Sequence, residues 1–586
     1  MEKDEVLYIG DKYISKPSGE QYRIEPIVSK ETGEVIGQTE TAFANHTPIL
    51  KEQRTIDNGI EVTEELVFNV RRAGRSWGDV SITTKDILSN TPNLKFGAAC
   101  RIYLGRNFKS FYSESMQMQC ENAPHSVVYQ HTGYSVIDGE RVFLNGGYSV
   151  TAEGLTDKYN VVFSGQLQNY HFTNEKHDSR YNTLLRALPK VAPKELVFAG
   201  LGLSFLTPLN AMLREKGVEP SFILYFVGKT GARKTTLAKL FLNFFGTFDN
   251  GTAPPAGFRD TINAIEKKFA LLDSTLTLLD DRIPSTTPKI RAQVEAIEQA
   301  SFRLIGDRSG RARMNADGTL KATYIPKCGL ITTAEEAFSN AGESGVARSL
   351  AVELKPGDVD LTALTEVQQR AEELNECMSE YIQYVIVHWD ELAEELKPLF
   401  IDLRSKAQNG GHGRLAECVA HLEIGITVLC RWLESIGEIT TEQAEELKAR
   451  AWDVFVSLAE EQNRRITNEK PVKLFIDAIK EMKDRGEIRF DEIGGNANSL
   501  HPIGYTDKYF YYCYPDSIYS EVKRFYAAQD INFPLGKSAL FQQLAIDGLI
   551  EADKGQSTKV KRIGEKRPRF LWLRVEALDN DKREEV

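Results

Sequence analysis

The sequence has few of the residues that build covalent or metal cross-links. Its 586 residues include seven cysteines, and no two of them form a CxxC pair. This spacing excludes a zinc ribbon and predicts reduced thiols in a cytoplasm. Four histidines also lack the spacing of metal ligands, so ordinary surface or core histidines are the favoured interpretation: His125, His131, His171 and His177.

Positive charge does not exceed negative charge in this chain, and long apolar runs are scarce. The formal net charge is −11, so the chain as a whole lacks the charge of a nucleic-acid-binding protein, and any basic surface must be local. We find no apolar run of membrane-spanning length, and the charged start Met1–Glu5 does not look like a secretory signal. We therefore expect a cytoplasmic protein without membrane contact. Its length predicts several domains.

The most informative stretch lies near the middle of the chain. The apolar run Phe222–Val227 predicts a buried strand, and apolar residues recur at helical spacing from Leu237 to Phe244. Between them, Gly228–Thr235 reads GKTGARKT. A strand, a glycine-bearing loop, Lys-Thr and a helix form the layout of a phosphate-binding P-loop, and a chance match does not explain the flanking strand and helix.

A P-loop predicts ATP and Mg²⁺ as ligands. Backbone N–H groups of the loop and the first helical turn bind phosphate oxygens. We expect Lys234 to reach the β- and γ-phosphates and the Thr235 hydroxyl to bind Mg²⁺. Arg233 stands where glycine is usual, which is tolerable if its side chain points outward. The predicted nucleotide-binding residues are Gly228, Gly231, Ala232, Arg233, Lys234, Thr235 and Thr236.

Two carboxylates follow a second apolar strand. Leu276–Asp281 has the Walker B arrangement, in which Asp280 holds Mg²⁺ and Asp281 orients and polarises the attacking water. A glutamate is commoner in the second role, and aspartate has a shorter reach. The alternative is an ordinary strand that ends in a polar turn.

A third strand and a later arginine complete the predicted catalytic set. Lys327–Glu336 predicts a core strand with polar groups at its carboxyl end, where ligands of parallel sheets bind. We favour Thr333 over Thr332 for contact with the γ-phosphate or the water. Arg348 precedes another apolar strand and is expected to reach the nucleotide of a neighbouring subunit. The alternative is a surface arginine.

A basic segment, Gly306–Lys321, lies between the second and third strands. Its turn signal Asn315–Gly318 predicts a hairpin. In the pore of a ring, such a hairpin would follow the phosphate backbone of single-stranded DNA. A solvated surface loop is the alternative, and both remain open. The basic residues are Arg308, Arg311, Arg313 and Lys321.

The chain order predicts an α/β multidomain fold. Short alternating stretches in residues 1–177 indicate a strand-rich domain, with strands at Gln21–Val28 and Ile60–Phe68 and a β pair of Ser126–Tyr134 with Arg141–Tyr148. Alternating strands and helices in 178–356 indicate an ATPase core with a parallel sheet. Residues 357–470 are helical in pattern, and 471–586 mix short helices and strands.

The last segment has the pattern of a winged helix. Asp516–Ala527 and Gly536–Asp547 predict helices, the second with Leu540, Leu544 and Ile546 on its apolar face, followed by strands at Thr558–Ile563 and Arg569–Arg574. Concentrated positive charge predicts contact with duplex DNA, and a protein-contact module is the alternative. The basic residues are Lys554, Lys559, Lys561, Arg562, Lys566, Arg567 and Arg569.

These motifs together resemble a known family. The Gly228–Thr235 loop resembles the P-loop of minichromosome-maintenance (MCM) helicases, where a non-glycine residue also precedes the lysine. Most of the chain resembles the DUF927 family of MCM-like AAA+ helicases, which are carried by staphylococcal cassette chromosomes, pathogenicity islands and phages. Besides the ATPase motifs, the matching segments are Tyr129–Tyr134 and Ile503–Tyr505.

The resemblance implies a bacterial hexameric ring that translocates on single-stranded DNA and unwinds duplex DNA to replicate a mobile element. It also implies that Arg414 occupies the sensor 2 position. Two other functions remain open: a replication initiator that binds one origin through the winged helix, and an AAA+ protein remodeller. The basic C-terminus argues against the remodeller.

Overall fold

The computed structural model describes residues 5–579 apart from 73–74, 90, 284–286, 315–317, 337–344, 409–411, 469–470, 495–501, 530–532, 534, 554–555 and 565. Within this part, a strand-rich N-terminal region is followed by a central sheet, a long helical region and a smaller α/β unit. The predicted α/β multidomain class is therefore confirmed.

The N-terminal region begins with two sheets. One has the order β1-β2-β3-β4, and the other has the order β14-β8-β5-β6-β7. Helix α2 contributes Tyr112 and Met116 to a core that includes Phe43 and Phe68. The elements are β1 Leu7–Ile9, β2 Tyr13–Ser15, β3 Gln21–Val28, β4 Val35–Ala44, β5 Thr47–Asp57, β6 Val62–Arg72, β7 Arg75–Ile82, α1 Thr84–Ile87, α2 Phe108–Met118, β8 His125–Tyr129 and β14 Asn160–Val161.

A third sheet, of order β13-β12-β10-β9, and the pair β11–β15 follow. The predicted strand Gln21–Val28 is confirmed, but the predicted strand Ser126–Tyr134 is wrong because β8 pairs with β5 and β9 pairs with β10 in a different sheet. The remaining strands are β9 Gly133–Ile137, β10 Glu140–Leu144, β11 Gly146–Gly147, β12 Ser149–Thr151, β13 Gly154–Thr156 and β15 His171–Phe172.

The link between β8 and β9 docks on the central sheet. Thr132 N–H donates to Leu271 O at 2.9 Å, and its hydroxyl donates to Asp273 O at 3.0 Å. Gly133 has φ +100°, and a Cβ there would lie 2.8 Å from Asp273. This close approach requires glycine and gives the Tyr129–Tyr134 segment a packing role beside the strand that carries Asp280.

The central sheet has five parallel strands in the order β17-β18-β19-β16-β20. Strands β16 and β19 are fully buried, as expected for a parallel sheet covered on both faces. All strands of this sheet end at one edge, where the candidate site lies. The elements are β16 Ile223–Val227, α6 Lys234–Leu242, β17 Ala256–Gly257, α7 Ile262–Leu271, β18 Leu276–Arg282, α8 Pro288–Gly306, β19 Gly329–Ala334 and β20 Ser349–Glu353.

Helices cover this sheet. One helical stretch, Lys194–Glu215, is 22 residues long with a mean hydropathy of 1.7, which corrects the expectation that no run reaches spanning length. Its apolar window is 100% buried inside the protein. The helices are α3 Arg180–Asn182, α4 Lys194–Leu206, α5 Asn210–Glu215, α9 Leu361–Gln369, α10 Ala371–Val387, α11 Trp389–Ala407, α12 Gly413–Ser435 and α13 Thr441–Asn468.

The C-terminal unit has its own core. Its sheet has the order β21-β22-β23-β26-β24, with β25 on β26. Leu540, Phe541 and Leu544 are buried, but Ile546 is 76% exposed, so its predicted place on the apolar face is wrong. The elements are α14 Pro471–Asp484, β21 Phe490–Glu492, β22 Gly504–Thr506, β23 Phe510–Cys513, α15 Pro515–Ala527, α16 Lys537–Ile546, β24 Ile550–Glu551, β25 Lys559–Val560, β26 Arg569–Arg574 and α17 Val575–Leu578.

Two hydrophobic clusters form the cores of the central and C-terminal parts of the chain. One cluster runs from Phe143 to Ile466, across the predicted boundaries at 177 and 356. The next begins at Val472, close to the predicted boundary at 470. The helical region thus packs on the central sheet as one body, and the C-terminal unit has a separate core.

Candidate active site

The Gly228–Thr235 loop leaves the carboxyl end of β16 and enters helix α6. Gly228 lies against the backbone, because an added Cβ would be 2.3 Å from Leu354 O. Gly231 has φ +90° and Arg233 has φ +62°. Arg233 therefore adopts the left-handed conformation that glycine favours, at a cost of about 1 kcal/mol. Ala232 is buried at the base of the loop.

Lys234 lies over this loop. Its ammonium donates to Gly228 O at 2.6 Å and to Lys229 O at 3.2 Å. Partial burial lowers the pKa of Lys234, an effect that nearby Glu335, Asp281 and Asp280 oppose. The ammonium group of Lys234 is thus held against the loop by two backbone carbonyl oxygens.

Two hydroxyl groups meet the Asp280 carboxylate. Thr235 Oγ1 donates to Asp280 Oδ1 at 2.8 Å, and Thr333 Oγ1 donates to the same oxygen at 2.6 Å. Asp280 is only 8% exposed. Thr332 faces away, and its buried Oγ1 has no hydrogen-bond partner among the described residues. Of the two threonines, Thr333 is therefore the one that the structure brings to the carboxylates.

Asp281 has unusual backbone geometry. Its φ is +71°, and the pairing of β18 with β19 shifts register between Leu279 and Arg282. Thr333 Oγ1 accepts a hydrogen bond from Asp281 N–H at 2.9 Å. Partial desolvation and then the neighbouring Asp280 carboxylate raise the pKa of Asp281. Strained backbone and a bulge of this kind redirect a side chain and occur often at functional sites.

Two further charged residues, Glu335 and Arg282, belong to this site but were not singled out from the sequence. Glu335 accepts a hydrogen bond from the Thr230 hydroxyl. Arg282 is buried and pairs with Glu298 of α8 at 2.6 Å. A signal for Glu335 was its position two residues after Thr333. Arg282 pairs with a residue 16 positions later, in the helix that follows β18, and no local pattern in the sequence reveals this pairing.

Several of these residues line a cavity of about 340 Å³. The Thr235 hydroxyl and the Asp280 carboxylate supply hard oxygen donors at one point, which suits Mg²⁺, and the loop with Lys234 suits phosphate. The residues therefore fit a magnesium nucleotide. The lining is Thr230, Gly231, Arg233, Lys234, Thr235, Thr236, Asp281, Arg282, Thr333, Ala334 and Glu335.

Arg348 and Arg414 lie elsewhere. Ile223 N–H donates to Arg348 O at 3.0 Å, which places Arg348 at the amino edge of the sheet. Its Nη2 donates to Asp307 Oδ1 at 2.6 Å, and Arg414 Nη2 lies 4.0 Å from the same oxygen. Within one chain the structure therefore does not bring these arginines to the cavity.

Two of the four basic residues of the segment Gly306–Lys321 have partners inside the protein, which corrects the predicted DNA contacts. Arg308 Nη1 donates to Pro326 O and to Cys328 O, both at 3.2 Å, and its Nη2 donates to Pro220 O at 2.5 Å. This guanidinium joins loops inside the fold and is not available to DNA. Arg313 pairs with the buried carboxylate of Glu266.

The outer part of the segment keeps the predicted hairpin form. Met314 and Leu320 form an antiparallel bridge, and Lys321 N–H donates to Arg313 O at 2.7 Å. Lys321 and Arg311 are exposed, although Arg311 Nε lies 3.4 Å from Glu266. The turn residues 315–317 lie outside the described part of the chain.

The basic residues of the C-terminal unit fall into two groups. Lys559 and Lys561 are half-buried and pair with Glu551 at 2.6 Å and Asp507 at 3.2 Å. The others are exposed around the turn between β25 and β26 and are Arg562, Lys566, Arg567 and Arg569. Lys554 lies outside the described residues.

The comparisons with known proteins concern the fold. Neither a family model nor a curated protein matches the sequence. Among solved structures, the chain shares the fold of a helicase. That structure, "SCCmec type IV Cch - active helicase", matches 97% of this chain and 98% of its own with a TM-score of 0.60 and 15% identity.

Two structures of JCV helicase also match, one of them bound to a small molecule. They cover 47% of this chain and 72% and 71% of their own, at 14% identity. Their TM-scores of 0.20 and 0.21 are too low to support an argument.

Proposed function

We propose that this protein is an ATP-dependent DNA helicase of the AAA+ class, which translocates on single-stranded DNA and unwinds duplex DNA to replicate a bacterial mobile element. We further propose that it works in the cytoplasm as a ring of identical copies, with six as the expected number. The observation that carries the proposal is the convergence of Lys234, Thr235, Asp280 and Thr333 at the carboxyl edge of a parallel sheet.

Each of these residues has a proposed role in phosphoryl transfer. Loop N–H groups hold the phosphates, and Lys234 offsets the negative charge that develops on the γ-phosphate. Thr235 and Asp280 hold Mg²⁺, which neutralises phosphate charge when bound. Thr333 fixes Asp280 through its hydroxyl and Asp281 through the backbone N–H.

Asp281 is proposed to orient the attacking water and to accept its proton. Its left-handed backbone conformation supports this role, because strained backbone of this kind is found often at active sites. Glu335 lines the same cavity, and its carboxylate lies within reach of the phosphate loop through Thr230. It is therefore a second carboxylate beside the proposed reaction.

We propose fewer DNA-contacting residues than the sequence alone predicts. Lys321 and Arg311 are the exposed cations of the hairpin and are proposed to contact single-stranded DNA in the pore. In the C-terminal unit, which we interpret as a winged helix, the proposed duplex contacts are Arg562, Lys566, Arg567 and Arg569.

A strand-displacement assay tests this function. Wild-type protein with ATP and Mg²⁺ should release a labelled strand from a forked duplex, and Lys234→Ala should not. Lys267→Ala is the matched control, since it removes an exposed lysine from α7 and should unwind like wild type. Unwinding by Lys234→Ala would contradict the proposal. Tight binding to one duplex sequence without strand release would favour a replication initiator.

A further inference from the structure

Asp307 lies directly after α8, between the two arginines of the predicted catalytic set. Arg348 donates to Asp307 Oδ1 through Nη2 at 2.6 Å and through Nε at 3.2 Å. Arg414 Nη2 lies 4.0 Å from the same oxygen. One carboxylate oxygen therefore faces both guanidinium groups.

This cluster is distant from the cavity of its own chain. Arg348 precedes Ser349, which pairs with Ile223 at the start of β16, whereas the Gly228 loop follows the end of that strand. Five residues of strand separate the two levels by roughly 16 Å. The arginines can therefore act on a nucleotide only if it belongs to another copy of the chain.

The surroundings of Asp307 hold it firmly. Its N–H donates to Arg303 O at 3.0 Å, and the next residue, Arg308, is fixed by carbonyls of other loops. A Cβ added to Gly306 would lie 2.2 Å from Arg348 Cδ. The chain thus leaves space beside Asp307 for the arginine side chain.

Charge makes this carboxylate important for both arginines. Two guanidinium groups side by side repel each other, and a shared carboxylate offsets that repulsion. It also fixes the Nε–Nη2 edge of Arg348, which orients the planar group. Arg414 Nη1 is buried and has no hydrogen-bond partner in the part of the chain that is described.

We propose that Asp307 is a positioning residue that aligns Arg348 and Arg414 toward the nucleotide phosphates of a neighbouring copy. This inference rests on the proposed ATPase function. Without Asp307, the two arginines lose their common anchor. Turnover then falls, while the cavity that binds ATP in the same chain stays intact.

The test is ATP hydrolysis by mixed assemblies. Asp307→Ala should lower kcat at least about 10-fold, as Arg348→Ala should, with nucleotide affinity unchanged. Asp307→Asn keeps an acceptor oxygen and should retain more activity than Asp307→Ala. Mixing Asp307→Ala with Lys234→Ala subunits should restore activity, because some interfaces then pair an intact cavity with an intact arginine cluster.

Two further variants distinguish the proposed role of Asp307 from a general folding defect. Gly306→Ala removes no charge but displaces Arg348, and it should also lower kcat. Asp402→Ala breaks an exposed ion pair with Lys406 on α11 and should hydrolyse ATP like wild type.

The outcomes separate this inference from the proposed function. Wild-type turnover by Asp307→Ala, with Lys234→Ala inactive, would overturn the role of Asp307 alone. Absence of rescue in mixed assemblies, shown to form by capture of a tagged subunit, would do the same. Wild-type turnover by Lys234→Ala would overturn the proposed function and this inference with it.

Discussion

Asp280 and Asp281 are neighbours in sequence but have different surroundings. Asp280 is buried and accepts hydrogen bonds from Thr235 and Thr333. Asp281 is exposed toward the cavity, and its backbone conformation is strained. This difference supports separate roles, one in metal binding and one in activating water.

Amide substitutions should separate these roles. Asp281→Asn should bind magnesium nucleotide normally but lose turnover about 100-fold or more, since an amide does not accept the proton of water. Asp280→Asn keeps an acceptor for both hydroxyls but should weaken Mg²⁺-dependent binding. Fluorescent-nucleotide titration and phosphate release measure the two effects. Equal behaviour of the two variants would contradict the division of roles.

Glu423 in α12 is a buried acid outside the site. It is 4% exposed, its Oε2 has no hydrogen-bond partner among the described residues, and burial raises its pKa to about 8. In the unfolded chain this carboxyl loses its proton near pH 4.5, so the folded state holds the extra proton between these values. The free energy of unfolding of the wild type therefore falls as pH rises through this window, by about 1.4 kcal/mol per pH unit.

Glu423→Gln should remove this pH dependence. The difference in melting temperature between Glu423→Gln and wild type should grow in favour of the variant from pH 5 to pH 8 and then level off. Glu446→Gln is the control, because it changes an exposed acid on α13. A constant difference across this range would show that Glu423 has an ordinary pKa.

At the level of single residues, sequence patterns predicted some parts of the candidate site and missed others. The strand–loop–helix pattern around Lys234 and the Asp pair near the end of β18 could be predicted because each pattern is local in the sequence. The partners of Arg308 could not be found, since Pro220, Pro326 and Cys328 belong to other parts of the chain. The basic segment therefore predicted a DNA contact for Arg308, whereas its guanidinium group binds backbone carbonyls inside the fold.

At the level of elements, the hydrophobic pattern predicts the bounds of a strand well when the whole strand lies in one sheet. Strand β26 has the predicted bounds Arg569–Arg574, and Leu571 and Leu573 on one face of it belong to a single core. Ser126–Tyr134 divides between two sheets, and this division depends on pairing with β5, about 70 residues earlier. Periodicity alone does not contain that information.

The turn between β25 and β26 should contact duplex DNA through its exposed cations. Replacing Arg562, Lys566 and Arg567 with alanine should weaken duplex affinity and flatten its dependence on salt, by up to one unit of slope per lost phosphate contact. Basal ATP hydrolysis should stay at the wild-type rate. Salt titration of duplex binding by fluorescence anisotropy measures this effect.

Lys561→Ala is the matched comparison for that triple variant. Because Lys561 pairs with Asp507 and lies over Tyr512, it should affect the stability of the unit more than the salt slope. An unchanged slope in the triple variant would identify the unit as a protein-contact module.

At the level of the whole molecule, the separate C-terminal core predicts a separable unit. A chain that ends at Asn468 keeps the large cluster, which runs to Ile466, and loses the cluster that begins at Val472. It should fold and hydrolyse ATP but bind duplex DNA weakly. Circular dichroism and phosphate release would check this, and an unfolded product would show that the two cores depend on each other.

The central claim is that the cavity beside Lys234 hydrolyses ATP to act on DNA. The most direct measurement is the steady-state rate of ATP hydrolysis by wild type and by Lys234→Ala, each with and without single-stranded DNA. We predict hydrolysis by wild type, stimulation by DNA, and background rates for Lys234→Ala in both conditions. Hydrolysis by Lys234→Ala at the wild-type rate would contradict the account.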